Sequence, residues 1–371
     1  RLVKAVRDLR LVFREENVRL SAAQIDERPA FAPALATVME ALNELAGLLE
    51  TQAARSEGLE KCWQRALDLI VRVERWQTGD RLGETTDRVR WAEIYTQALA
   101  LNATPLSVAD IFRRQMEDNP RAWIFTSATL SVGNDFGHYC GELGLYDAQT
   151  AQWGSPFAYE QQALLYAPEN MPEPSSPNYA EAVAKAAWPL IRACRGGVFV
   201  LCTSLRAMKR IHELIEDRLS AYDPERPLLI QGQATRSELL DRHRAAGNAV
   251  LVASQSFWEG VDVRGDALQL VIIDKLPFAP PDDPVLSARI EHLKKQGRNA
   301  FSEYQLPHAV ISMKQGAGRL IRDERDHGVL MVCDPRLVDK PYGKVIWRSL
   351  PPMRRTRSAD VAVQFLETLG G

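Results

Sequence analysis

The chain has 371 residues, of which 46% are hydrophobic, 25% charged and 8% aromatic. That balance is typical of globular proteins and excludes a disordered, collagen-like or small disulfide-stabilised chain. The 46 basic and 48 acidic residues leave a net charge of −2, so net charge alone predicts no polyanionic partner.

Neither a membrane helix nor a signal segment is expected. The longest apolar runs, such as 198–202 and 329–333, have five residues each, whereas a helix across a bilayer needs about 20. The sequence begins with Arg1 and has no charged-then-apolar leader, so we expect part of a longer cytoplasmic protein. The five cysteines are scattered without a C-x-x-C pair, which does not match the spacing of a zinc or iron–sulfur site.

The first half of the chain begins with a helical region. Up to about residue 76, apolar side chains recur every three to four residues, which predicts three amphipathic helices. Residues 77–88 are polar and glycine-containing, which predicts a loop. Residues 89–95 alternate as in a strand, and the short apolar run 122–126 predicts a buried strand.

From residue 179 onward, helices and short apolar strands alternate. Helices are predicted at 179–194, 207–219, 237–245, 285–296 and 303–316, and strands at 198–202, 228–230, 249–253, 268–274 and 328–333. This order predicts a parallel sheet covered by helices on both faces.

Three polar clusters directly follow predicted strands, which is where ligands bind in open parallel sheets. They are Ser127-Ala128-Thr129, Thr203-Ser204 and the segment 254–265, which contains Glu259-Gly260-Val261-Asp262. Taken singly, the first two are typical of helix caps, and the third is typical of a turn. No one of these clusters decides a function.

A fourth cluster, 315–322, ends a predicted helix before the strand 328–333. Arg319 and Arg322 are three residues apart and therefore share one helix face or one turn. Gly316 and Gly318 allow close approach of the backbone. Two guanidiniums fixed beside glycines favour a phosphate clamp.

The four clusters in this order, with a sheet domain around the last three, resemble the XPD/DinG-like group of superfamily 2 helicases. Residues 258–262, 271–278 and 315–322 look particularly like its bacterial YoaA branch. The resemblance implies an α/β fold, with a second RecA-like parallel-sheet helicase domain preceded by a helical Arch segment and the end of a first RecA-like domain. The implied boundaries are 1–80, 81–156 and 157–371.

The resemblance implies an ATP-dependent 5′-to-3′ DNA helicase of replication or repair, acting on single-stranded or forked DNA in the bacterial cytoplasm. Catalytic roles are implied for Arg319 and Arg322, as arginine fingers on the ATP phosphates, and for Gln315. Nucleotide binding and coupling are implied for Glu259, Gly260, Asp262 and Gly318. DNA binding and coupling are implied for Ser127, Thr129, Thr203, Ser204, Arg206 and Ser254, with Gln231 as a further candidate. Arg206 either faces a DNA phosphate or is a solvated helix arginine.

Parts of the family pattern are missing from the sequence. It contains no G-x-x-x-x-G-K-[ST] phosphate loop, no D-E-A-H run and no four-cysteine element. ATP with Mg²⁺ is therefore expected to be used by the full-length protein, and a 4Fe–4S cluster is expected upstream, with no metal held by this chain. We expect this polypeptide alone to be unable to hydrolyse ATP.

The C-terminal segment carries a separate hypothesis. Residues 340–357 contain six basic side chains and no acidic one. The following helix, with apolar Val361, Phe365 and Leu366, either packs on the domain or forms a docking site. Since YoaA-like proteins are associated with the chi subunit of DNA polymerase III, we expect chi to dock here, on a set of four residues: Arg355, Thr356, Arg357 and Phe365.

Two other functions are weighed against the helicase. A DinG-like nuclease needs an acidic metal cluster, and the sequence has none with nuclease spacing. A non-catalytic module that binds DNA or a polymerase partner as a scaffold is the main alternative, but it gives the paired arginines no use.

Overall fold

The computed structural model describes residues 1–78, 88–257, 267–280 and 282–369. Its strands are β1 (Val18–Ser21), β2 (Arg88–Ile94), β3 (Leu99–Pro105), β4 (Ala163–Tyr166), β5 (Val198–Cys202), β6 (Leu228–Ile230), β7 (Val250–Ser254), β8 (Leu270–Ile273), β9 (Gly328–Val332) and β10 (Arg354–Thr356). Its first eight helices are α1 (Leu2–Leu11), α2 (Ala22–Asp26), α3 (Phe31–Glu50), α4 (Glu57–Thr78), α5 (Ala109–Glu117), α6 (Gly137–Leu143), α7 (Tyr159–Gln162) and α8 (Tyr179–Ala193). The others are α9 (Leu205–Tyr222), α10 (Arg236–Ala246), α11 (Pro284–Lys295), α12 (Leu306–Ala317), α13 (Arg336–Asp339), α14 (Gly343–Ser349) and α15 (Ala359–Thr368).

The chain divides into two compact units. Unit 1 comprises Arg1–Arg121, Gly141–Tyr146 and Ala279–Phe301, and unit 2 comprises Ala122–Cys140, Asp147–Phe278 and Ser302–Gly371. Among the described residues, no helix is long and apolar enough to cross a bilayer.

Unit 1 combines helices with a small antiparallel sheet in the order β1-β2-β3. The three predicted helices are present as α1, α3 and α4, and the predicted strand 89–95 is present as β2. The Phe31 ring lies at the centre of its core, with its centroid 5.8 Å from those of both Phe13 and Trp76. The sequence did not predict α2, β1 or β3.

Unit 2 contains a seven-stranded sheet in the order β10-β4-β9-β8-β5-β7-β6, and every pairing in it is parallel. The predicted parallel α/β fold is therefore confirmed. One face of the sheet packs against α8, α9 and α15 through a continuous apolar cluster. On the other face, the Phe199 ring lies 4.8 Å from the ring of His243 in α10. Both faces are covered because the strands are apolar on both sides.

One predicted strand is wrong. Residues 122–126 form no strand, and Ile124 is 84% exposed. An extended apolar segment becomes a strand only when a neighbour completes its hydrogen-bond ladder, and no described strand pairs with this segment. Conversely, β4 and β10 were not predicted, although they form one side of the sheet.

Candidate functional site

The carboxyl ends of the parallel strands of unit 2 meet at one edge of the sheet. Thr203 and Ser204 follow β5, Ser254 ends β7 and Asp274 follows β8. β5 pairs directly with both β7 and β8, so these side chains belong to one neighbourhood. We call them the carboxyl-edge cluster, together with Gln231, which follows β6.

Asp274 lies in the middle of this cluster and is 0% exposed. Its Oδ1 accepts hydrogen bonds from the backbone N–H groups of Thr203 (2.9 Å) and Lys275 (2.6 Å). Its Oδ2 accepts a longer one from the Thr203 hydroxyl (3.4 Å). Burial raises the pKa of the Asp274 carboxyl to about 7, against the opposing effect of these donors. The carboxyl thereby fixes Thr203 at the end of β5.

The backbone of Asp274 is held as well. Its carbonyl accepts a hydrogen bond from the buried Tyr179 hydroxyl (2.8 Å). The Lys275 ammonium lies 4.7 Å from the centre of the Tyr179 ring. Asp274 could not be identified from the sequence, because an acidic residue at the end of an apolar run carries no signal of its partner Thr203, 71 residues earlier.

Ser204 and Arg206 begin helix α9. The Ser204 hydroxyl accepts a hydrogen bond from Ala207 N–H (3.2 Å), which makes it the N-cap of α9. The side chain of Arg206 lies exposed on the first turn. The capping interpretation of Ser204 is therefore correct, while its exposed hydroxyl keeps a proton to donate.

Ser254 and Gln231 are held together at the neighbouring strand ends. Both the backbone N–H and the hydroxyl of Ser254 donate to Gln231 Oε1, at 2.7 and 2.8 Å. One amide oxygen thus orders the end of β7. Ser254 and Gln231, which are separate DNA-binding candidates in the sequence, are hydrogen-bonded to each other in the structure.

The paired arginines follow the C-terminus of α12. Gln315 lies in the last turn of α12, Gly318 follows it, and Arg319 and Arg322 lie in the segment before β9. We call residues 318–327 the arginine turn. Because the helix ends at Ala317, the two arginines share a turn rather than a helix face. Arg319 is 9% exposed and Arg322 is half-buried.

The arginine turn lies at the amino ends of the strands, whereas the carboxyl-edge cluster lies at their carboxyl ends. It leads into the amino end of β9, and Ala163, the first residue of β4, pairs with Gly328, the first residue of β9. The sequence had also placed this fourth cluster before a strand, at the end of a helix, rather than directly after a strand like the other three.

The segment with Ser127 and Thr129 contacts α12. The Ser127 hydroxyl accepts a hydrogen bond from Thr129 N–H (3.2 Å) within a turn, so the helix-cap interpretation of this segment is wrong. The Lys314 ammonium of α12 donates to the Ser131 carbonyl (3.0 Å), and burial lowers the pKa of Lys314. The Ser127 segment is therefore linked to the helix that carries Gln315.

The third sequence cluster is not characterised by the structure. Glu259, Gly260 and Asp262 lie outside the described residues. Among the described residues, no group of three or more histidine, cysteine or acidic side chains could hold a metal ion. Cys194, Cys202 and Cys333 are buried, and burial raises the pKa of each thiol. These residues do not fit an iron–sulfur cluster.

The C-terminal segment is part of the folded unit. Arg355 and Thr356 lie in β10, and the Arg355 guanidinium lies 4.7 Å from the centre of the Trp347 ring. In α15, Leu366 is fully buried and Phe365 packs against the core cluster. Phe365 and Leu366 thus pack on the domain, whereas Val361 of the same helix is 39% exposed. The basic side chains before the helix, including Arg357, are also exposed.

Comparison with known proteins finds similarity to helicases. Residues 187–353 match the family model for the helicase C-terminal domain. The chain is 42% identical over 366 residues to the ATP-dependent DNA helicase YoaA of Escherichia coli, covering 99% of this chain and 56% of that protein. It is 36% identical over 266 residues to the ATP-dependent helicase DinG of Mycobacterium tuberculosis, covering 70% of this chain and 39% of that protein.

A solved structure titled XPD_Helicase has the same fold. It aligns with a TM-score of 0.58 at 16% identity, covering 95% of this chain and 61% of that one. The chain spans a little over half the length of the YoaA relative that it matches.

Proposed function

We propose that this chain, which belongs to the XPD/DinG-like group of superfamily 2 helicases, forms the C-terminal portion of an ATP-dependent 5′-to-3′ DNA helicase. The observation that carries the proposal is the match to a helicase C-terminal domain over residues 187–353, which includes both the carboxyl-edge cluster and the arginine turn. The proposed parts are an Arch segment (1–80), the end of a first RecA-like domain (81–156) and a second RecA-like domain (157–371).

In this proposal the arginine turn acts on ATP. The phosphoryl group that leaves ATP spreads negative charge over its oxygens, and a fixed guanidinium stabilises that charge. Arg319 and Arg322 would supply the guanidiniums, with Gln315 and Gly318 beside them. The short link from Lys314 to Ser131 (3.0 Å) supports a coupling role for Ser127 and Thr129. A coupling role is also proposed for Glu259, Gly260 and Asp262, and these three residues lie outside the described part of the chain.

The carboxyl-edge cluster would bind single-stranded DNA. Hydroxyl and amide groups at strand ends can donate to phosphates, and a nearby arginine adds charge. Thr203, Ser204, Arg206 and Ser254 would line this contact, with Ser204 and Arg206 as the phosphate donors, Thr203 held by Asp274 and Ser254 held by Gln231. DNA would thus bind at the carboxyl ends of the strands, and the nucleotide would be contacted from their amino ends.

The phosphate loop and magnesium ligands are expected in the sequence that the longer relatives have and this chain does not. Mg²⁺ would neutralise phosphate charge when it is bound with ATP. The proposed 4Fe–4S cluster is assigned to the same missing part, since the described cysteines do not fit one. The protein would act in DNA replication or repair in the bacterial cytoplasm.

The decisive test is Arg322→Ala in the full-length protein. We expect DNA binding to be retained and DNA-stimulated ATP hydrolysis to fall about 10³–10⁵-fold, since that is the usual contribution of an arginine finger. Arg325→Ala, which changes an exposed arginine of the same turn, is the matched control and should be active. Wild-type turnover in Arg322→Ala would contradict the assignment of Arg322 as an arginine finger, whereas a full-length wild-type protein that hydrolyses no ATP would favour the non-catalytic scaffold.

We also propose that the basic C-terminal surface binds the chi subunit of DNA polymerase III. The support is charge: Arg354, Arg355 and Arg357 are exposed, whereas Phe365 is engaged by the core and can contribute only its exposed edge. The double variant Arg354→Glu with Arg357→Glu should bind chi at least tenfold more weakly in a pull-down titration. Arg192→Glu, on exposed α8 surface, is the control, and equal binding by all three proteins would refute this partner.

A further inference from the structure

The arginine turn is held by two buried polar side chains that the proposed function leaves unexplained. Asp326 is 2% exposed and Gln162 is 3% exposed. Burying polar groups is unfavourable unless hydrogen bonds compensate for the lost water, so the partners of these two side chains indicate what they do.

Asp326 fixes the backbone of Arg322. A single carboxylate oxygen, Oδ2, accepts hydrogen bonds from the N–H groups of Arg322 (2.7 Å) and Asp323 (2.8 Å). Hydrogen bonds to an ionised acceptor are shorter and stronger than neutral ones. The turn is closed further by the N–H of Asp326, which donates to the Asp323 carbonyl (3.2 Å). The peptide plane that carries Arg322 is therefore set by one buried oxygen.

Gln162 binds the carbonyl groups of the same turn. Its Nε2 lies 3.0–3.1 Å from the carbonyl oxygens of Asp323, Glu324 and Asp326. An amide nitrogen has two protons, so three acceptors share two donors. The β4–β9 pairing explains the contact: Gln162 immediately precedes Ala163, whose partner is Gly328, and the turn ends just before Gly328.

These bonds have a functional consequence because an arginine finger works only when it is placed in advance. A guanidinium on a mobile loop loses both backbone and side-chain entropy each time it engages a phosphate, whereas one on a fixed backbone loses only side-chain entropy. The turn lies between a helix end and a strand; its N–H groups at 322 and 323 are bound by Asp326 within the turn, and its carbonyls are bound by Gln162 from a distant part of the chain.

We propose that Gln162 and Asp326 are positioning residues that hold Arg322 ready for the phosphates of ATP. This inference rests on the proposed role of Arg322. It predicts that loosening the turn lowers the turnover number while leaving DNA affinity unchanged.

The test uses the full-length protein and four variants. Asp326→Ala removes the side-chain oxygen that accepts both backbone N–H groups, and Gln162→Leu removes the donors at similar volume. Asp326→Asn is the conservative control, because its side-chain oxygen can accept the same two N–H groups. Arg322→Ala reports whether the finger itself is needed.

We expect Asp326→Ala and Gln162→Leu each to lower kcat for DNA-stimulated ATP hydrolysis at least tenfold, with the Kd for single-stranded DNA within twofold of wild type. Asp326→Asn should keep at least half of the wild-type kcat. Amide hydrogen exchange at 322–326 should be faster in the first two variants and unchanged in Asp326→Asn.

The outcomes separate the two ideas. If Arg322→Ala keeps its turnover, the proposed function fails. If Arg322→Ala loses turnover while Asp326→Ala and Gln162→Leu keep it, the positioning inference alone fails. It also fails if Asp326→Asn is as inactive as Asp326→Ala, since the backbone bonds would then not be the cause. Should Asp326→Ala not fold, Gln162→Leu and Asp326→Asn decide the question by the same criteria.

Discussion

Replacing the buried Asp274 by asparagine should change how stability depends on pH. In the native state, burial raises the pKa of this carboxyl from 3.8 to about 7. The folded state therefore holds a proton that the unfolded state releases between about pH 4 and pH 7. Stability from this group is fully present below pH 4 and is lost as the pH rises through 7.

The size of the effect follows from the difference in pKa. Each pKa unit corresponds to about 1.4 kcal/mol, so a difference of about three corresponds to about 4 kcal/mol lost by pH 8. Asparagine carries no charge, and its side-chain oxygen can accept the N–H groups of Thr203 and Lys275 that Oδ1 now accepts. Asp274→Asn should thus match the wild type near pH 4 and exceed its free energy of unfolding by about 4 kcal/mol at pH 8.

The assay is urea unfolding of both proteins at intervals from pH 5 to pH 8. Other titrating groups cancel in the difference between the proteins, including His243, whose pKa burial lowers to about 4. The difference in unfolding free energy should grow steadily with pH. On this account, burial raises the pKa of the Asp274 carboxyl although its N–H donors favour the ionised form. A difference that is independent of pH, or a variant that is less stable than wild type at pH 8, would refute it.

Three further changes test the site and the fold. If Arg206 faces a phosphate, Arg206→Ala should weaken single-stranded DNA binding and reduce the slope of log affinity against log salt concentration by about 0.7. Arg210→Ala is the control, because Arg210 pairs with Glu181 (2.8 Å) and Glu213 (3.2 Å). Equal slopes in the two variants would show that Arg206 is a solvated arginine. Gly197→Ala should destabilise unit 2 by about 3 kcal/mol in urea unfolding, since the added Cβ would lie 2.0 Å from the Ala267 carbonyl oxygen; Gly154→Ala, with open space around it, should change stability by less than about 0.5 kcal/mol. Arg226→Met should cost at least about 3 kcal/mol, because its guanidinium donates to the carbonyls of Ile191, Cys194, Gly196 and Asn248, and a loss below about 1 kcal/mol would show that water replaces it.

The parallel sheet was predictable because its central strands are continuous apolar runs between helices. On the sheet's other side, β10 was not predictable, because its residues are polar and become a strand only by pairing with β4; β4 is a short apolar run that was missed. The error at 122–126 has the same origin. An apolar run states a preference for burial, but a partner must exist for a strand to form.

The candidate site divides along the same line. Thr203, Ser254 and the arginines could be proposed because they stand beside apolar strands or glycines in the sequence. Asp274, Gln162 and Asp326 could not, because their meaning lies in partners brought close by strand pairing. Gln162 and Asp326 are 164 positions apart, and only the β4–β9 register makes them neighbours.

The position of β10 also governs how the end of this chain can be manipulated. β10 covers the outer hydrogen-bonding groups of β4, and α15 shields the apolar cluster beside it. Truncation before Arg354 would therefore turn β4 into a bare sheet margin above an uncovered hydrophobic surface, a combination that promotes self-association. Charge reversal on the intact segment is consequently the cleaner way to separate lost recognition from aggregation.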